Sequence, residues 1–113
     1  NHSKKIEFIC IIESKNAVNN LNSIINYKYL DGIMIGPYDL SVSLGIPGKF
    51  NSTIFKNCLK IIEQKTKKSK KILGIHVVEP NKKLVNNFAN KKYNFIVYSL
   101  DTVLIKDSIK KIL

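Results

Sequence analysis

The sequence predicts an α/β fold built from repeated parallel strands and helices. Four short runs rich in Ile, Val or aromatic residues recur along the chain, at Ile6 to Ile12, Gly32 to Ile35, Ile72 to Val78 and Phe95 to Leu100. Each run is apolar on both faces, as in a parallel sheet covered by helices, and each is followed by a stretch of helical period. The order βαβαβαβα with short turns requires right-handed crossovers in one parallel sheet.

The elements follow in order. After the first strand run, Ala17, Leu21, Ile24 and Ile25 form one apolar stripe of a helix over residues 16–26, with Asn16 as its cap. The second helix runs from Thr53 to Lys68, with Ser52 as cap and Ile54, Cys58, Leu59, Ile61 and Ile62 facing inward. Asn81 caps a third helix that carries Leu84, Val85 and Phe88. Asp101 caps a fourth that carries Val103, Leu104, Ile105, Ile109 and Ile112. Tyr98 and Phe95 are assigned to the core. Two frames accommodate four such units: one half of an eight-unit barrel, or an open sheet whose ligand crevice lies where the strand order reverses. Periodicity leaves both open.

Composition narrows the function. At 113 residues, 44% apolar and 24% charged, the chain has room for one globular domain. It begins at Asn1, close to an apolar strand, and is read as a fragment that continues upstream. The net charge of +11 comes from 19 basic residues, all Lys, alongside abundant Ile and Asn, which reflects codon bias toward A and T. Without Arg there is no planar fork for phosphates or guanine edges, so no nucleic-acid partner is expected. The densest basic run, Lys65 to Lys71, straddles a helix end, where positive charge suits the dipole. Cys10 and Cys58 lack metal or disulfide spacing and read as buried thiols of a reducing compartment. No apolar run reaches membrane-span length and no signal peptide is visible, so the expected setting is cytoplasmic, with no membrane partner.

Polar residues gather just after the strands: Glu13 and Ser14, then Tyr38, Asp39 and Ser41, then Glu79, then Ser99 and Asp101. In βα-repeat enzymes the strand C-termini converge on the active site. Glu13 directly follows Ile9 to Ile12, so its carboxylate is expected at the sheet rim close to buried surroundings, where a charge needs a partner. Asp39 poses the same problem one strand later. Two carboxylates on adjacent strand ends form a hard oxygen site for a divalent cation that keeps further ligands from water or substrate. The competing reading makes Glu13 a helix cap and Asp39 a turn cap. The 13-residue segment at 36–48, GPYDLSVSLGIPG, reads as a long loop. Gly36-Pro37 forces a turn that can aim the backbone amides of Tyr38 and Asp39 at an anion. Ser41 and Ser43 read as loop-stabilising hydroxyls, with no triad partners. His76 admits two readings, a hydrogen-bonded strand histidine or a substrate contact. Glu79 likewise fits a solvated turn.

The run DGIMIGPYDLSVSLGIPG, preceded by IIESKNAVNNLNSII and followed by GIHVVEP and YNFIVYSLDTVLI, resembles the HpcH/HpaI aldolases, metal-dependent class II enzymes acting on pyruvate and related 2-oxo acids. The resemblance spans nearly the whole chain, which makes residues 1–113 a partial aldolase-type barrel domain, units five to eight of a (β/α)8 barrel. It implies that Glu13 and Asp39 hold Mg²⁺, Mn²⁺ or Co²⁺, and that the amides of Tyr38 and Asp39 hold the carboxylate of a 2-oxo acid. The implied activity is reversible aldol cleavage of a 4-hydroxy-2-oxo acid to pyruvate, or a close 2-oxo acid, and an aldehyde, in a homo-oligomer. The same barrel also serves citrate-lyase-like and malyl-thioester lyases, and a piece of it alone could be an inactive half-barrel or an assembly module. Where the family often carries Gln two residues before the glutamate, this chain has Ile11, which cannot hydrogen-bond to the site. The family's catalytic His and its carboxylate-clamping Arg belong to the other half of the barrel, so no catalytic group beyond the metal site is expected here.

Overall fold

The computed structural model describes residues 6–113. Four strands, β1 (Ile9–Ile12), β2 (Gly32–Ile35), β3 (Ile72–Val77) and β4 (Phe95–Tyr98), form one sheet in the order β1-β2-β3-β4. All neighbours pair in parallel, so each run becomes a strand within a few residues of its expected bounds. The spatial order equals the sequence order and nowhere reverses. A doubly wound sheet needs such a reversal, and a barrel does not. With crossovers of one hand, an unreversed order puts every connecting helix on the same face.

That face holds the core. Ile12, Ile33, Ile35, Leu73, Ile75 and Val77 alternate along their strands and are buried with Leu21, Ile25, Leu40, Phe55, Ile62 and Phe88 from the helices. Each such aliphatic side chain contributes roughly 1.5–3 kcal/mol by leaving water. The residues between them form an open face: Ile9 and Ile11, Gly32 and Met34, Ile72, Gly74 and His76, then Phe95 and Val97. Ile11 is 50% exposed there and Val97 38%.

Several local expectations change. The first helix is two pieces, α1 (Lys15–Asn19) and α2 (Leu21–Ile25), broken at Asn20. Its cap is Ser14 rather than Asn16, with Oγ accepting from the Ala17 amide at 3.1 Å. Within 36–48 the chain is no structureless loop, because Pro37–Ser43 forms helix α3. Proline at the first helical position has a preset φ and gives up only an amide that would have no partner, so the turn it forces nucleates a helix. The Ser41 hydroxyl, fully buried, donates to the Tyr38 carbonyl at 2.7 Å and accepts from the Gly48 amide at 2.9 Å, and Ser43 Oγ accepts from the Lys15 amide at 2.9 Å.

Helix α4 (Thr53–Lys68) has the expected Ser52 cap, but its buried stripe is Phe55, Cys58, Ile62 and Thr66. Ile54 and Ile61 are turned outward. Spacings of three and four from Phe55 give one continuous stripe, which the choice of Ile54 broke. Helix α5 (Lys82–Asn90) has the expected Asn81 cap and buries Phe88, while Leu84 is exposed. Tyr93 links these helices: its hydroxyl donates to Glu63 at 2.8 Å, and Lys91 pairs with the same carboxylate at 3.3 Å.

Helix α6 (Asp101–Ile112) starts after Leu100, so Asp101 is its first residue rather than its cap; its carboxylate accepts from the Thr102 amide at 2.7 Å. No residue of α6 is buried, contrary to its expected core stripe, and Tyr98 is also exposed rather than core. Both cysteines are free, and burial pushes each thiol above its ordinary pKa. No helix among the described residues is long and apolar enough to cross a membrane.

Candidate functional site at the strand C-termini

The parallel register sets the site. Ile12 lies opposite Ile35, and Ile35 opposite Ile75. One residue further on, Glu13, Gly36, His76 and Val97 form a transverse row at the C-terminal rim, and alternation puts all four on the open face. The Gly36 amide donates to the Ile12 carbonyl at 3.1 Å, which carries the pairing of β1 and β2 one residue past the strand ends.

Gly36 separates the two titratable side chains of this row. A Cβ built on Gly36 would lie 3.2 Å from Glu13 Cβ and 3.4 Å from Glu13 Oε2, so the carboxylate leans across the position the glycine leaves bare. Glu13 is exposed and has no hydrogen bond or ion pair with a described residue, so the carboxylate expected close to buried surroundings stands instead in solvent. It caps no helix, because Ser14 does that. Asp39 stands in the first turn of α3, also exposed and without a described partner.

The intrahelical bonds of α3 begin with the Leu40 amide donating to the Gly36 carbonyl at 3.0 Å. The amides of Tyr38 and Asp39 precede that ladder, and no side chain caps them. Both therefore stand at the positive end of a short helix directly beyond β2. The Tyr38 ring meets Phe50 edge-on at 4.9 Å between centroids, and Phe50 meets Phe55 at 5.3 Å, which anchors this turn to α4.

The described residues contain no group of three or more His, Cys, Asp or Glu able to hold a metal together. What the rim offers is two carboxylates, beyond neighbouring strand ends, with no partner among the described residues. For a divalent cation that keeps waters and substrate oxygens as its remaining ligands, two hard oxygen donors are a fitting set.

His76 is half-buried, and its Nε2 lies 3.1 Å from the Ser99 carbonyl oxygen. The strand-histidine reading thus has a specific partner. A cavity of about 330 Å³ lies beside the end of β3, lined by Tyr38, Phe50, Phe55 and Phe88 together with His76 and Glu79. It touches neither Glu13 nor Asp39. The sequence paired Glu13 with Asp39, and the amide of Tyr38 with that of Asp39, and kept His76 apart. It missed Gly36 as the gap between Glu13 and His76, because only strand register shows that these three share one row.

A parallel βα sheet with its polar groups at the strand C-termini is the architecture of a barrel enzyme. The chain belongs to the HpcH/HpaI aldolase/citrate lyase family, whose model matches residues 1–108. It is 30% identical over 98 residues to the 2-keto-3-deoxy-L-rhamnonate aldolase of Escherichia coli K12, covering 87% of this chain and 36% of that protein. It therefore spans a little over a third of the length of that relative. Among solved structures it superposes on an HpcH/HpaI aldolase from Desulfitobacterium hafniense DCB-2 with a TM-score of 0.85 at 21% identity, covering 94% of this chain and 40% of that one. An HpcH/HpaI aldolase/citrate lyase family protein from Burkholderia cenocepacia J2315 gives 0.87 at 20% identity, covering 95% and 41%. The four βα units are thus part of the barrel fold of these aldolases.

Proposed function

We propose that this chain supplies the metal-binding rim of a carbon-carbon lyase that reversibly cleaves a 4-hydroxy-2-oxo acid into pyruvate, or a close 2-oxo acid, and an aldehyde. The observation that carries the reading is the pair of unpartnered carboxylates, Glu13 beside the bare Gly36 and Asp39 in the first turn of α3. Glu13 and Asp39 would hold Mg²⁺, Mn²⁺ or Co²⁺, which when bound supplies Lewis acidity toward the keto oxygen of the substrate.

The chain's own residues do the rest of the work assigned to this rim. The amides of Tyr38 and Asp39 orient the 2-oxo acid by donating to its carboxylate, with the helix dipole favouring the negative charge. Ile11 and Met34, one layer below on the open face, give the site an apolar floor. Ser41 holds the α3 turn from beneath by bonding both Tyr38 and Gly48, so the two amides keep a fixed direction. No general base is assigned within these residues.

The test is divalent-metal binding and turnover in the whole protein. Glu13→Gln with Asp39→Asn is expected to abolish Mn²⁺ binding and to lower kcat/KM on 4-hydroxy-2-oxo acids by at least a hundredfold. Exhaustive chelation should do the same, reversibly. Turnover that survives either treatment, or activity confined to a malyl thioester, would exclude this reading.

A further inference from the structure

The rim row contains one group that the metal and carboxylate sites leave unused. His76 stands on the open face in the same layer as Glu13, with only Gly36 between them. Two strand spacings separate their backbones, about 10 Å. A 2-oxo acid head held near Glu13 fills less than half of that span, and the aldehyde-derived half extends from it.

The geometry of His76 fixes what it can offer. The Ser99 carbonyl can only accept, so at 3.1 Å the imidazole must donate through Nε2. In the neutral ring the proton then sits on Nε2, and Nδ1 is an acceptor. Nδ1 has no partner among the described residues. The flanks are open: Gly36 has no side chain, Val97 is short, and Gly74 two residues earlier lies beneath the Phe95 ring. Ser99 holds its carbonyl in place through an unusual backbone, with φ of 58° and its amide bonded to the Val77 carbonyl at 2.7 Å. No described Asp or Glu hydrogen-bonds to His76, so nothing orients it as the base of an acid-base pair.

We propose that His76 is a specificity-determining residue, whose Nδ1 accepts a hydrogen bond from a hydroxyl on the aldehyde-derived half of the substrate and so favours hydroxyaldehydes over alkyl aldehydes. The assignment rests on the aldolase reading above. It adds a side chain that the metal site does not require.

The experiment compares glycolaldehyde with propanal, near-isosteric aldehydes with and without the hydroxyl, in condensation with saturating pyruvate and Mg²⁺ in the whole protein. His76→Leu removes the acceptor, whereas His76→Gln keeps both a donor for the Ser99 carbonyl and an acceptor in its amide oxygen. His76→Leu is expected to raise KM for glycolaldehyde roughly tenfold, the worth of one hydrogen bond, while kcat and the KM for propanal stay close to wild type. His76→Gln should restore most of the preference for glycolaldehyde and, through the Ser99 contact, the melting temperature. Independently of turnover, ¹⁵N NMR of the ring in the resting protein should show Nε2 protonated and Nδ1 bare. A proton on Nδ1, or a Leu variant that still prefers glycolaldehyde as wild type does, overturns the assignment and leaves the aldolase reading standing. Wild-type protein with no pyruvate-dependent turnover under Mg²⁺ or Mn²⁺ removes both.

Discussion

Three residues show how local physics is distributed between stability and the rim. Ser99 combines a left-handed backbone with a buried hydroxyl that has no hydrogen-bond partner among the described residues, two features that each cost about 1 kcal/mol or more. The strain sits where its carbonyl meets His76, which is where a site would hold it. Glu13, in contrast, is exposed with no partner among the described residues, so it contributes little to folding. Tyr93 is purely structural. Burial first, then the hydrogen bond and the negative charge of Glu63, push its phenol far above the usual tyrosine range. The folded state thus keeps this proton while the unfolded chain releases it near pH 10. Its stabilisation is complete below pH 10 and is lost as pH rises from there toward the raised folded value, at about 1.4 kcal/mol per pH unit. Urea unfolding at pH 9 and pH 11 checks this: Tyr93→Phe should lose about 1.4 kcal/mol less than wild type between the two, and an equal loss would refute it.

At the scale of elements, what the sequence made legible follows from which forces are local. Strand identity was readable because runs such as Gly32 to Ile35 and Phe95 to Tyr98 are short, apolar and bounded by breakers. Caps with a side-chain oxygen three residues before the amide they serve, Ser52 and Asn81, were readable for the same reason. The helix inside GPYDLSVSLGIPG and the stripe starting at Phe55 also have local signals, Pro37 at a first helical position and the spacing 55, 58, 62 and 66, whereas the break at Asn20 has none in the apolar pattern. Of the candidate site, Glu13, Asp39 and Tyr38 were singled out from strand-end position, whereas the Glu13, Gly36 and His76 row exists only once register is known. Register also determines the role of Gly74. It pairs with Phe95, whose ring covers it, and an added Cβ would overlap that ring. Gly74→Ala must push the ring off the open face or shift β3, and it should destabilise the protein by about 1–3 kcal/mol. A denaturant midpoint unchanged from wild type would show that the ring moves without cost.

The whole molecule is a plate rather than a sphere. Its extents are 51 × 44 × 23 Å and its radius of gyration is 15.5 Å, against about 13 Å for a compact chain of this length. The reason is that helices cover one face of the sheet and nothing described covers the other. Strands β1 and β4 also each carry an unpaired edge. Helix α6 adds to this exposed apolar surface, with Leu104 at 40%, Ile105 at 60% and Ile109 at 51% exposure. With no residue fully buried, the helix adds little to the stability of this chain, yet its stripe has the spacing of a buried helix face. These two facts separate folding from association. The 113-residue chain studied alone should self-associate at micromolar concentration despite its charge of +11, because like charges on exposed lysines are screened within about 10 Å at ordinary salt. Ile105→Lys with Ile109→Lys should weaken that association at least tenfold in sedimentation, while the urea midpoint of the four-stranded core moves by less than about 0.5 kcal/mol equivalent. If the double variant instead unfolds the core, α6 packs on its own chain in solution. If association persists undiminished, the open sheet face and its edges drive it, and α6 is only a bystander.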